Sequence, residues 1–151
     1  QQEVERVYVE RIASVEARPE TCRLLMTQLT FKGGCLAQLE VNAESGYGYQ
    51  VDVELTGSEG SVRTAPAAAP TVRKADQALQ SIDEDWLMRF DLAYLYEVQA
   101  WVQSVIEGNP TGPSSWDGYA AMVVADACVE SAKTGLPQVV PTLERPSLYD
   151  S

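Results

Sequence analysis

A chain of 151 residues, 45% of them hydrophobic, has the size of one domain and enough apolar material for a sizeable core. Its formal charge is −11, and its 11 basic residues are scattered among 22 acidic ones. With no basic cluster to neutralise a phosphate backbone, nucleic-acid binding is not expected. The absence of histidine removes a Ser-His-Asp triad, a Cys-His pair and a His-based zinc site from the chemistry open to these residues.

No apolar run approaches the roughly 20 residues that span a bilayer, so no membrane partner is expected. The start, Gln1-Gln2-Glu3-Val4-Glu5-Arg6, has neither an apolar signal region nor an initiator methionine, and reads as a domain cut from a longer chain or a processed product. Cys22, Cys35 and Cys128 form no CxxC pair and sit among apolar residues, where a free thiol acts as a small hydrophobe. A reducing, cytoplasmic setting follows.

Residues 4–16 carry β-branched and aromatic residues in ragged alternation and predict a strand, which Arg18-Pro19-Glu20 breaks. Residues 21–31 predict a second strand with apolar side chains on both faces, Cys22, Leu24 and Met26 against Leu25, Leu29 and Phe31. A solvent-backed strand alternates more cleanly, so both sides of this sheet are expected to be covered. Lys32-Gly33-Gly34 turns the chain into residues 35–42, with Cys35, Ala37, Leu39 and Val41 inward. After a glycine-loosened loop, Tyr49, Val51, Val53 and Leu55 alternate with Gln50, Asp52, Glu54 and Thr56, which predicts a strand closed by the Gly57-Ser58-Glu59-Gly60 reversal. A short return strand spans 61–64, Ala65–Pro70 is a proline-bounded connector, and Thr71-Val72-Arg73 can form a further strand.

Two helices follow. Ser81-Ile82-Asp83-Glu84 fits a capping box, and Leu87, Phe90, Tyr94, Val98, Trp101 and Val105 then recur on one face until Gly108-Asn109-Pro110. Ser114-Ser115-Trp116-Asp117 fits a second box, opening a helix whose inner face is read as Gly118, Ala121, Met122, Ala125, Cys128, Val129 and Ala132. Gly135-Leu136-Pro137 ends it, and Gln138–Val140 can add an edge strand. Strands first and helices after them predict an α+β fold: an open, mostly antiparallel sheet, two long C-terminal helices packed on one face, and the other face free for oligomerisation.

No GxGxxG or GxxxxGK[ST] loop is present to cradle a nucleotide phosphate. Asp83, Glu84 and Asp85 could be imagined as metal ligands, but a helix N-terminus explains them better, and no metal site is expected. Glu97 and Glu130 are single acids without a partner spacing. Trp86, Trp101, Trp116 and Tyr94 read as core or interface aromatics. Tyr47 and Tyr49, either side of Gly48, are either core rings or a hydrogen-bonding wall for a polar ligand.

Gly46-Tyr47-Gly48-Tyr49, then Val53-Glu54 and Gly57-Ser58-Glu59-Gly60, resembles the C-terminal domain of the glucose–fructose oxidoreductase and inositol dehydrogenase (Gfo/Idh/MocA) family, inositol 2-dehydrogenases in particular. Further stretches resemble it in order: Phe31 to Ala37, Arg89-Phe90 with Tyr94, Glu97 and Trp101, Asp117-Gly118 to Glu130-Ser131, and Thr134 to Pro137. The resemblance implies a parent with an N-terminal Rossmann domain, which binds NAD or NADP and carries the catalytic lysine. No cofactor and no independent activity are then expected of residues 1–151, taken as a single C-terminal domain for substrate binding and oligomerisation. It also implies that Tyr47 and Tyr49 contact a polyol or sugar substrate. Members often carry Asp directly after the second tyrosine and Arg two residues later, where this chain has Gln50 and Asp52; a sugar or cyclitol other than inositol is therefore open. The alternative is a stand-alone, non-catalytic α+β module that dimerises through its sheet and binds a ligand or partner.

Overall fold

The computed structural model describes residues 3–14, 22–64 and 71–149. The end of the first expected strand at 15–16, the break at Arg18-Pro19-Glu20 and the connector Ala65–Pro70 lie outside the described residues. In chain order the elements are β1 (Val4–Ala13), β2 (Cys22–Phe31), β3 (Leu36–Asn42), β4 (Glu54–Gly57), β5 (Gly60–Arg63), β6 (Thr71–Lys74), β7 (Gln77–Gln80), α1 (Trp86–Glu107), α2 (Ser115–Thr134) and β8 (Gln138–Val139). They fall into two compact units, Gln1–Glu44 with Gly112–Ser151, and Ser45–Thr111. The antiparallel sheets and the two long helices make the class α+β, as expected.

The first unit is built on a four-stranded antiparallel sheet in the order β3-β2-β1-β8. Register sets which side chains meet: Val7 lies opposite Leu29, and Leu29 opposite Ala37, on the face that α2 covers. Val7, Ala127 and Val140 form the buried centre, with Val4, Leu29, Val123, Val124 and Cys128 packed around them. Tyr8, Glu10, Ile12, Leu24 and Met26 alternate with that set and take the opposite face. There the Tyr8 hydroxyl donates to Glu10 at 3.1 Å, and this bond, with the carboxylate's charge, raises the phenol's pKa. Leu39 and Val41 share the side of Ala37 but remain exposed, because α2 packs on β1 and β8 and not over β3.

The second helix starts and stops where its local signals say. Ser114 caps α2, its hydroxyl accepting from the Asp117 amide while the Asp117 carboxylate accepts from the Ser114 amide at 2.7 Å. Gly135, at φ 69°, closes the other end by donating to the Ser131 carbonyl. The face is rotated from expectation. Val123, Val124, Ala127, Cys128 and Ser131 turn toward the sheet, whereas Met122 and Val129 are exposed. Small residues on every side of α2 blur the apolar periodicity, so hydrophobic spacing alone does not fix the phase. Ser131 is fully buried because its hydroxyl is spent twice: it accepts from Val9 N at 3.0 Å and donates to Leu136 O at 2.8 Å.

In the second unit the expected single sheet gives way to two separate hairpins, β4–β5 and β6–β7. The β4–β5 reversal at Gly57–Gly60 is the expected one. The β6–β7 turn is carried by Ala75 and Asp76, both at positive φ (52° and 64°), as in a type I′ hairpin. Alanine carries no turn signal, so β7 was not legible. The long alternating strand from Tyr49 is shorter than expected: only Glu54–Gly57 pairs in a ladder. Asp85, not Ser81, caps α1, accepting from Met88 N at 3.0 Å. Tyr94, Trp86 and Trp101, read as core or interface rings, are exposed in this chain, with Trp86 and Tyr94 meeting edge to face at 5.6 Å.

Candidate functional site

The segment of Tyr47 and Tyr49 is held by the backbone. Tyr49 N donates to Asp83 O at 2.8 Å, which pins this loop to the approach of α1. The contact requires glycine just before it. Gly48 sits at φ 118°, and a Cβ there would stand 2.8 Å from Asp83 O and 2.9 Å from Ile82 Cγ2. The Tyr49 ring then meets Phe90 edge to face, centroids 6.1 Å apart at 86°. Phe90 has φ −121° and ψ 17°, a kink one turn into α1. Arg89, beside it, holds its guanidinium carbon 5.3 Å from the Phe90 centroid.

Residues 50–53 lie outside any ladder because other groups satisfy them. Gln50 Nε2 donates to Asp52 Oδ2 at 2.7 Å, and Arg63 Nη2 reaches the same oxygen at 3.3 Å. Val53 N donates to Thr64 Oγ1, while Thr64 N donates to Val53 O. The result is a groove of about 220 Å³, with Tyr49, Gln50, Asp52, Gln80, Asp83 and Arg89 among its lining.

The two predicted site residues are treated differently. Tyr49 lines the groove and is 37% exposed; Tyr47 does not line it and is 61% exposed. Neither hydroxyl has a hydrogen-bond partner among the described residues. A phenol with an unused hydroxyl on a polar groove is equipped to bond a ligand hydroxyl. Sequence reasoning missed Gln80, Asp83 and Arg89 as groove residues. Only the Arg89-Phe90 pair carried any signal, as a matched piece of the first helix.

Each long helix carries a carboxylate at its N-terminus, Asp85 on α1 and Asp117 beside Ser114 on α2. Among the described residues there is no group of three or more His, Cys, Asp or Glu that could hold a metal ion. No helix of the described residues is long and apolar enough to cross a membrane.

Residues 1–140 match the family model described as "Oxidoreductase family, C-terminal alpha/beta domain". The chain is 44% identical over 151 residues to an inositol 2-dehydrogenase of Rubrobacter xylanophilus, covering 99% of this chain and 44% of that protein. It is 37% identical over 150 residues to inositol 2-dehydrogenase 1 of Saccharopolyspora erythraea, covering 97% and 44%. Among solved structures, the myo-inositol dehydrogenase of Lactobacillus casei in complex with NAD(H) and myo-inositol superposes with a TM-score of 0.86 at 29% identity, over 98% of this chain and 45% of that one. The chain thus spans less than half the length of the curated relatives it matches. Sequence match and shared fold together place it in the Gfo/Idh/MocA oxidoreductase family, as a C-terminal alpha/beta domain.

Proposed function

We propose that residues 1–151 act together as the substrate-side domain of an NAD(P)-dependent dehydrogenase that oxidises a hydroxyl of a cyclitol or sugar, inositol being the first candidate. The observation that carries this reading is the unused Tyr49 hydroxyl on a polar groove, clamped by Gly48 and Asp83, in a chain 44% identical to an inositol 2-dehydrogenase. The nucleotide would supply hydride acceptance, and on this reading another part of the parent holds it. This chain's residues bind and orient. Tyr49 bonds a substrate hydroxyl, Tyr47 contributes from the adjacent exposed position, and the aromatic contact with Phe90 fixes the ring's approach. A hydroxyl-to-phenol bond also discriminates, because an analogue without that hydroxyl leaves a polar group unpaired.

The sheet face bearing Tyr8, Ile12, Leu24 and Met26 is proposed as the contact between copies, in a protein working in the reducing cytoplasm. Three free cysteines support that setting.

The test uses the full-length enzyme. Tyr49→Phe is expected to lower kcat/KM for the cyclitol about 10-fold or more, with nucleotide affinity unchanged. Unaltered cyclitol kinetics would remove Tyr49 from the site. A wild-type protein that oxidises no polyol or sugar with either nucleotide would favour the stand-alone module instead, and a strict monomer at micromolar concentration would remove the sheet contact.

A further inference from the structure

We propose that Arg89 and Asp52 together select the substrate, by reading ring hydroxyls of a cyclitol remote from the carbon that is oxidised. The inference rests on the polyol reading above and assigns two residues which that reading leaves unused.

Both side chains line the groove beside Tyr49. Arg89 is half-buried, yet its guanidinium has no hydrogen-bond or ion-pair partner among the described residues, although Asp52 and Asp83 line the same groove. A structural arginine in that company would pair with one of them. It is held against the Phe90 ring instead, which leaves its planar fork of N–H donors unspent.

Asp52 is prepared from the other side. Its Oδ2 takes both the Gln50 amide and the Arg63 guanidinium, while Oδ1 has no partner among the described residues. A carboxylate fixed through one oxygen presents the other as an oriented acceptor.

An unspent donor fork and an unspent acceptor in one groove of about 220 Å³ suit a ligand whose neighbouring groups are hydroxyls, since each hydroxyl both donates and accepts. An anionic ligand would gain Arg89 but meet the carboxylates of Asp52 and Asp83. The two residues therefore favour an uncharged polyol and fix its rotation in the groove.

The test measures kcat/KM of the full-length enzyme for the cyclitol and each of its monodeoxy analogues, in wild type, Arg89→Met, Arg89→Lys, Asp52→Asn and the double variant. Arg89→Met is expected to lower kcat/KM for the intact cyclitol about 10- to 100-fold, but by under about threefold for the one analogue lacking the hydroxyl that Arg89 reads. Asp52→Asn shows the same selectivity at a different hydroxyl. Arg89→Lys recovers part of the loss, because an ammonium keeps the charge without the fork; should Arg89→Met fail to fold, Arg89→Lys carries the comparison. Losses equal for the cyclitol and every analogue, or no loss at all, would overturn the assignment while wild-type activity keeps the polyol reading intact. A wild type inactive on all cyclitols overturns this assignment, and one inactive on sugars as well refutes both.

Discussion

The hydroxyl of Ser131 accepts a hydrogen bond from the amide of Val9 at 3.0 Å, joining α2 to β1 across 122 positions of sequence. The same hydroxyl donates to Leu136 O, so a fully buried side chain satisfies two backbone groups at once. Ser131→Ala leaves both without a partner. It should cost about 1–3 kcal/mol, read as a lower urea midpoint with an unchanged slope. A loss within a few tenths of that unit would mean that water replaces the hydroxyl.

Gly48 is the position where a single methyl does most harm to the site. At φ 118° an L side chain is strained, and the added Cβ meets the Asp83 carbonyl and Ile82 Cγ2 below 3 Å. Gly48→Ala is expected to cost about 1–3 kcal/mol and to break the Tyr49–Asp83 bond. Cyclitol turnover should fall with it, while nucleotide affinity holds. Full turnover in Gly48→Ala would show that the substrate does not depend on this loop.

The Ser114 capping box supports α2 from its first turn. Ser114→Ala removes the hydroxyl that accepts from the Asp117 amide and should destabilise by about 1 kcal/mol, whereas Ser114→Thr should keep most of it. Thermal melts of the two variants side by side measure the difference; indistinguishable melts would show that the cap contributes nothing here.

Burial raises the pKa of the Cys128 thiol, so the folded protein holds that proton more tightly than the unfolded chain does. This contribution is present below the unfolded thiol value of about 8.5 and is lost as pH rises through the higher folded value. Wild type should therefore lose stability between about pH 8 and 10 relative to Cys128→Ala. A thiol reagent at pH 8 should modify exposed Cys35 well before Cys128. Equal rates for the two would contradict the shift.

Local signals were legible in the sequence; signals that depend on what lies opposite were not. Ser114 with Asp117, Gly135 and the Gly57–Gly60 reversal act within a few residues, and each stands where the sequence put it. The phase of α2 was not, because Gly118, Ala121 and Ala125 are as small as Ala127 and Ser131, and only the facing strand distinguishes them. The start of α1 was ambiguous in another way: Ser81 and Asp85 are both capping residues four positions apart, and the helix uses the later one. The strand from Tyr49 was overextended because alternation at 49–53 is indistinguishable from a ladder until the partners are known. Those partners are Asp83, Thr64 and the Gln50–Asp52–Arg63 chain. The tyrosine motif singled out Tyr49, which lines the groove, whereas Asp83 comes to the groove only through the fold and Arg89 was marked only as part of the first helix.

No residue of α1 is buried in this chain, although Leu87, Trp101 and Val105 are 56%, 64% and 66% exposed on its apolar side. A helix so apolar is stabilised by whatever covers it, and a cover that arrives from another molecule acts by mass action. Where that cover is a second copy of the chain, resistance to unfolding becomes a property of how much protein is present and the melting temperature of the 151-residue chain climbs with its concentration; a concentration-independent melt shows that a different partner supplies the cover. In the first case, dilution becomes a denaturant.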